Sequence, residues 1–177
     1  MGSIRSPKPV LLFMAVFSSI SSAFGWVRRR AEDQWGVLTL ESEDFPFETF
    51  TDYYATTMGE TLPKRLWAFE KLINPDALPK IKCLTNDWEE EFKSLTDHSV
   101  ERPLNIDPGY IDLGKLILAS TKDHAHRIYM SGGIFAETTL MYTQKQWKPL
   151  PWTYPDYQSI GYQQFLTRCR EYLQSKR

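Results

Sequence analysis

The stretch Thr121–Leu140, TKDHAHRIYMSGGIFAETTL, concentrates the side chains that could do chemistry. The imidazole of His126 exchanges a proton near neutral pH and can serve as general acid or base. Lys122 and Arg127 supply positive charge for an anionic group, and Glu137 could orient them. On a strand, His124 and His126 point the same way, a spacing that can hold a metal. Two imidazoles are not a site, however, and no metal is assigned. With a three-residue loop at Ser131–Gly133, Met130 faces Ile134, Arg127 faces Glu137 as a cross-strand ion pair, and His126 faces Thr138. Thr138 could then orient the ring or a substrate. A one-residue slip would change every facing pair.

Other segments could complete a pocket. Asp107 opens an Asp-Pro-Gly turn, where its carboxylate would bond the turn's own amides, and Asn105 lies one alternation earlier. Asp52, Tyr53 and Tyr54 could form a polar wall. Trp152, Tyr154 and Tyr157 could stack on a flat ligand, although Pro151 and Pro155 equally suit a rigid strap over a sheet. The candidate site is therefore His126 and Glu137 as catalytic groups, with Lys122, Arg127, Asn105, Asp107, Thr138, Tyr54, Trp152 and Tyr154 binding ligand. No nucleophile elbow, H-E-x-x-H or closely spaced cysteine pair is present. No cofactor is named by any motif.

These groups need elements to hold them. Pro9–Phe17 reads as a buried strand. The rival reading is a secretory signal, because basic residues precede the apolar run and small residues follow it. Ile20, Phe24, Val27, Ala31 and Trp35 recur at helical spacing, so cleavage near Ala23 would cut an amphipathic helix in half. The apolar run is also too short to span a bilayer. Strand plus helix is the better reading. Val37–Ser42 is a second strand, Phe45–Gly59 an aromatic loop, and Lys64–Ile73 a central strand apolar on both faces. Asn74–Asp76 caps a second helix with a stripe of Leu78, Ile81, Leu84, Trp88, Phe92 and Leu95. Glu89, Glu90 and Glu91 form its solvated face. Residues 113–120 fit strand or short helix. The chain ends in a helix carrying Tyr162, Phe165, Leu166, Cys169, Tyr172 and Leu173 on one side.

That order predicts an α+β two-layer sandwich with a ferredoxin-like (split βαβ) core and an added C-terminal β-hairpin and helix. One domain over residues 8–177 follows a disordered tail at 1–7. The 177 residues are 42% hydrophobic and 14% aromatic, with a net charge of −1, which fits a single well-filled core and no general nucleic-acid footprint. Cys83 and Cys169 read as buried free thiols on helices. The expected partner is a small anionic ligand. No membrane span is expected, and the oligomeric state is open.

Longer motifs carry a resemblance. DFPFETFTDYYATTMG, WAFEKLINPDALPKIKCLTNDWE, NIDPGYIDLGKLILASTKDHAHRIYMSGGIFAETTL and PWTYPDY resemble an uncharacterised bacterial family, the domain-of-unknown-function family numbered 4416. The resemblance runs from about Lys8 onward, which puts the N-terminal apolar run inside the folded domain and favours a cytoplasmic protein over a secreted one. It carries no established activity. Some members bear a GTP-binding label, yet this chain has neither G-x-x-x-x-G-K-[ST] nor a strand-born G-x-G-x-x-G. The family commonly has acidic residues between the double tyrosine and the Met-Gly, where this chain has Ala55, Thr56 and Thr57. Its usual histidine before Arg-Ile-Tyr corresponds to His126; His124 is particular to this chain.

Overall fold

The computed structural model describes residues 2–95 and 98–177. Its centre is β1 (Val10–Phe17), whose eight residues are all buried. Alternation explains why the run is apolar throughout. Val10, Leu12, Met14 and Val16 join one core, and Leu11, Phe13 and Ala15 join another on the opposite face. The supposed leader is thus the strand on which both cores are built.

Helix α1 (Ser21–Trp35) buries Ala23, Phe24, Val27 and Ala31. It leads to β2 (Leu38–Glu41), followed by the short β3 (Phe45–Pro46), α2 (Ala55–Met58) and β4 (Pro63–Ile73). The aromatic loop therefore holds regular structure. Helix α3 (Leu78–Leu95) follows a 3-10 turn at Pro75–Ala77, then β5 (Asn105–Asp112) and β6 (Lys115–Ser120). Beyond these come β7 (Ile128–Ser131), β8 (Ile134–Thr143), β9 (Gln146–Pro149) and α4 (Ile160–Ser175). The described residues make a mixed α/β protein with one nine-stranded antiparallel sheet and four helices. The strand order is β2-β4-β1-β5-β6-β8-β7, with β3 beside β4 and β9 beside β8. No helix among the described residues is long and apolar enough to cross a membrane.

Two layers were expected; the protein has three. α1 and α3 cover the face of Leu12 and Met14, and α4 covers the face of Phe13 with Phe165, Leu166, Cys169 and Leu173. The added helix cannot lie with the other two because the second face of β1 is equally apolar and must be buried. Both cysteines are free; Cys169 is buried, but Cys83 is only half-buried. Burial pushes the Cys169 thiol up, so it is inert at neutral pH.

The expected turn at Asp-Pro-Gly is absent. β5 runs straight through Pro108 and Gly109, and the chain reverses at Leu113–Gly114. Pro108 pairs with Met14 of β1 but lies outside the ladder with β6, which begins at Gly109 opposite Leu118. Gly109 is needed for close approach rather than for turning. A Cβ there would collide with the Ile117 carbonyl oxygen and come within 2.7 Å of Leu118 Cδ2. Gly109→Ala should therefore cost about 3 kcal/mol, read as a lowered urea midpoint at unchanged m-value. An unchanged midpoint would mean that the two strands do not approach as described. Residues 115–120, open between strand and helix in the sequence, are strand.

The glycine hairpin is real but tighter than expected. Ser131 pairs with Ile134 across a two-residue turn in which Gly132 and Gly133 have φ of +60° and +78°. Both values suit a type I′ turn, which glycine tolerates best. The register then shifts at Met130, so that Tyr129 faces Phe135 and Ile128 faces Ala136. β7 begins only at Ile128, and His124–Arg127 form a turn closed by Arg127 N–H donating to the His124 carbonyl at 2.8 Å. The two imidazoles are therefore not strand neighbours.

Candidate functional site

At the end of the sheet where β1 finishes, three strands line up their residues. Phe17 of β1 is flanked by Lys64 of β4 on one side and Asn105 of β5 on the other. One step further in, Asp107 pairs with Ala15. Lys64 shares its face with Leu66 and Ala68, and Asn105 and Asp107 share theirs with Ile111, so all three look toward the α4 side. Here α4 leaves a gap, closed instead by the aromatic loop, the turn before β7 and the segment Tyr154–Tyr157. The result is a cavity of about 740 Å³, and a smaller one of about 440 Å³ lies between the aromatic loop, α3 and residues 101–104.

Seven of the ten candidate residues line the larger cavity: Tyr54, Asn105, Asp107, Lys122, Arg127, Glu137 and Tyr154. His126, Thr138 and Trp152 do not. The His126 ring stacks on Trp152 at 4.9 Å between centroids, with His124 stacked on its outer side at 5.9 Å. The Trp152 indole N–H donates to the Thr138 carbonyl at 2.8 Å, so Thr138 engages through its backbone rather than by facing the imidazole. Among the described residues no group of three or more His, Cys, Asp or Glu is arranged to hold a metal.

The Arg127–Glu137 pair does form, at 2.7 Å, with both side chains almost fully buried. The shift at Met130 restores the facing that a three-residue loop would have produced. Glu137 also contacts His126 Nε2 at 3.1 Å and accepts from the Thr139 hydroxyl at 3.3 Å. Arg127 spends its other donors on Ser120 Oγ, the Lys122 carbonyl and the Tyr154 hydroxyl. This is a fully engaged network that fixes the turn to the cavity rim.

The opposite wall comes largely from residues that the sequence reading passed over. The Lys64 ammonium meets Asp156 at 2.7 Å, both buried, and sits 4.2 Å from the Phe47 ring centroid. Lys82, Asn86 and Glu89 form a second stripe on α3 that faces the cavity. Lys82 donates to the Ile106 carbonyl at 2.7 Å and lies 3.4 Å from Asp107. Glu89 was expected on a solvated face. Instead its side chain is 13% exposed, accepts from Ile106 N–H at 2.7 Å and pairs with Arg102 at 3.1 Å. Arg102 also donates to the Asn105 side-chain oxygen Oδ1, and Asn105 donates its side-chain amide N–H to Asp107 at 3.0 Å. The Asp107 carboxylate thus answers a lysine and an amide, not turn amides of its own.

Environment separates the two carboxyls. Burial would raise Asp107, but the charges of Lys82, Lys64 and Arg102 and the Asn105 amide outweigh it and hold the group below the ordinary carboxylate range. Burial raises Glu89, and Lys82, Ile106 N–H and Arg102 only partly offset it. Burial, reinforced by Asp107, pushes Tyr54 up to about 12, so its hydroxyl remains a donor. The Tyr157 hydroxyl is buried without a hydrogen-bond partner among the described residues, and burial keeps it protonated too.

These shifts have opposite consequences for stability. Glu89 holds its proton more tightly when folded, so its contribution is complete below 4.5 and is lost as pH rises through the raised value. Asp107 contributes fully above 3.8 and loses that contribution as pH falls through its lowered value. Glu89→Gln should therefore flatten the decline above pH 4.5 in melts compared with wild type. Parallel curves would show that Glu89 is not held in a desolvated site.

Fold and site together define a three-layer α/β protein with a ring-lined, charge-bearing cavity at one end of its sheet. The chain belongs to the family described as Domain of unknown function (DUF4416), whose profile matches residues 8–172. No curated protein and no solved structure matches it.

Proposed function

We propose that this protein binds a small molecule carrying an anionic, phosphate- or nucleotide-like group in the larger cavity. The observation behind this reading is the convergence of five cations on the lining of one cavity: Lys64, Lys82, Arg102, Lys122 and Arg127. They come from four segments of the chain, and the rings of Phe47, Phe50, Tyr53 and Tyr54 stand among them. Lys122 is exposed and, alone of the set, has no ion pair among the described residues, so it is the group free to meet an incoming anion. Thermal melts against nucleotides, phosphosugars and aromatic acids test this. A ligand should raise Tm in proportion to its saturation, and Lys122→Ala should weaken it about tenfold without lowering the Tm of the free protein. No shift from any of these compounds would end the reading.

A catalytic version keeps His126 as acid or base, acting through Glu137, which lines the cavity and contacts the imidazole at 3.1 Å. His126→Gln should then remove turnover but leave affinity intact. A regulatory or protein-interaction module remains the alternative, and it requires no effect of His126→Gln on ligand-dependent behaviour.

We read the first half of the chain as a ferredoxin-like, split βαβ core. In support, β2, β4, β1 and β5 are neighbours in that order, and the α1 and α3 crossovers pack on one face. We also read residues 8–177 as one domain. Two free thiols fit a reducing, cytoplasmic setting.

A further inference from the structure

We propose that the cavity's ligand is a ring-bearing zwitterion that presents a cationic nitrogen to Asp107 and its anionic group to Lys122. This rests on the proposed cavity and narrows its ligand to one anionic group offset by a cationic one, in place of a multiply charged phosphate. The first observation is charge. The five cations of the wall are matched there by five carboxylates: Glu89, Glu90, Asp107, Glu137 and Asp156. Four of the cations are already paired, Lys64 with Asp156, Lys82 with Asp107, Arg102 with Glu89 and Arg127 with Glu137. A molecule carrying several negative charges would have to enter a wall with no net positive charge, at a cost that grows with each charge.

The second observation is exposure. Asp156 and Glu137 are each 2% exposed and Glu89 is 13%, so their charges are spent on their partners, while Glu90 is exposed on α3 and already solvated. Asp107 is 35% exposed while its Lys82 partner is only 7%. Its carboxylate therefore keeps open lone pairs toward the cavity, beyond the Asn105 amide at 3.0 Å and the lysine at 3.4 Å. The surrounding cations hold Asp107 ionised, so it offers acceptors and no donor. A purely anionic ligand would lie against this charge unpaired, whereas an ammonium or a ring N–H would satisfy it.

The third is the pairing of rings with Lys122. Its ammonium lies 5.7 Å from the Tyr53 ring centroid, and Tyr53 meets Tyr54 edge-on at 4.9 Å. A flat ring entering between these tyrosines and Tyr154 would set its two charged groups toward Lys122 and Asp107.

Three probes that share one ring test this on the whole chain: tryptophan, indole-3-propionate without the ammonium, and tryptamine without the carboxylate. Titration calorimetry on wild type should give tryptophan the highest affinity, at least about tenfold above either relative. Asp107→Asn should abolish that preference and strengthen indole-3-propionate, since the repelling charge is gone. Should the variant fold poorly, Lys122→Ala on the exposed rim gives a second reading, weakening tryptophan and indole-3-propionate while sparing tryptamine. If wild type binds indole-3-propionate as tightly as tryptophan, the zwitterion is wrong and the anion-binding cavity stands. If none of the three binds, the ring-bearing zwitterion is wrong; the phosphate and nucleotide melts then decide the cavity separately.

Discussion

Glu137→Ala is expected to destabilise the protein by about 3–5 kcal/mol. Glu137 is nearly fully buried on β8 and faces Leu118 across the β6 ladder. It accepts from Arg127, His126 and Thr139 at once. Truncation leaves the Arg127 guanidinium, itself only 3% exposed, without its counter-charge. The remaining partners of Arg127 are neutral oxygens, which cannot cancel a buried charge. Because the same guanidinium ties Ser120, the Lys122 carbonyl and Tyr154 together, the rim of the cavity should loosen along with the fold. Urea titration reads the first effect, and amide exchange across residues 120–127 the second. A loss below about 1 kcal/mol would place the pair in water and remove its organising role.

Lys64→Met should cost a similar amount, about 3–5 kcal/mol, for the reverse reason. It strands the Asp156 carboxylate, which is 2% exposed, in a site where the Phe47 and Tyr157 rings lie against the lysine ammonium. Adding Asp156→Leu should recover most of that loss, because two apolar side chains of similar volume need no pairing in that setting. The double variant should fold and show whether the buried pair also matters for ligand. If the second substitution made matters worse by its own full amount, the two groups would not be partners.

Much of this was legible in the residues. The apolar run at β1 and the helical spacing after it identified the central strand and α1, because a strand buried on both faces must be apolar throughout. Arg127 opposite Glu137 followed from alternation, and the Met130 shift in β7 compensated for a turn one residue shorter than expected. Asn105 and Asp107 were placed on one side by the same rule. His126 was expected to face Thr138 from a strand, but β7 begins only at Ile128, and local turn bonding takes the residue off the cavity lining. The Asp-Pro-Gly motif was misread because its turn signature was overridden by pairing of β5 with β1 on one side and the close approach of β6 at Gly109 on the other. Lys64 and Lys82 were not singled out and Glu89 was expected in solvent, although signals existed. Lys64 shares parity with Leu66 and Ala68. Lys82, Asn86 and Glu89 stand at i, i+4 and i+7, a polar stripe beside the apolar one. Their burial could be foreseen only with knowledge of which helix face meets the end of the sheet.

The most direct test is a crystal structure of the protein grown with the compound that most raises its Tm. That compound should lie inside the 740 Å³ cavity, touching Lys122 and Asp107 with its ring against Tyr53, Tyr54 or Tyr154. The same compound bound elsewhere on the surface, with this cavity holding only solvent, would contradict it.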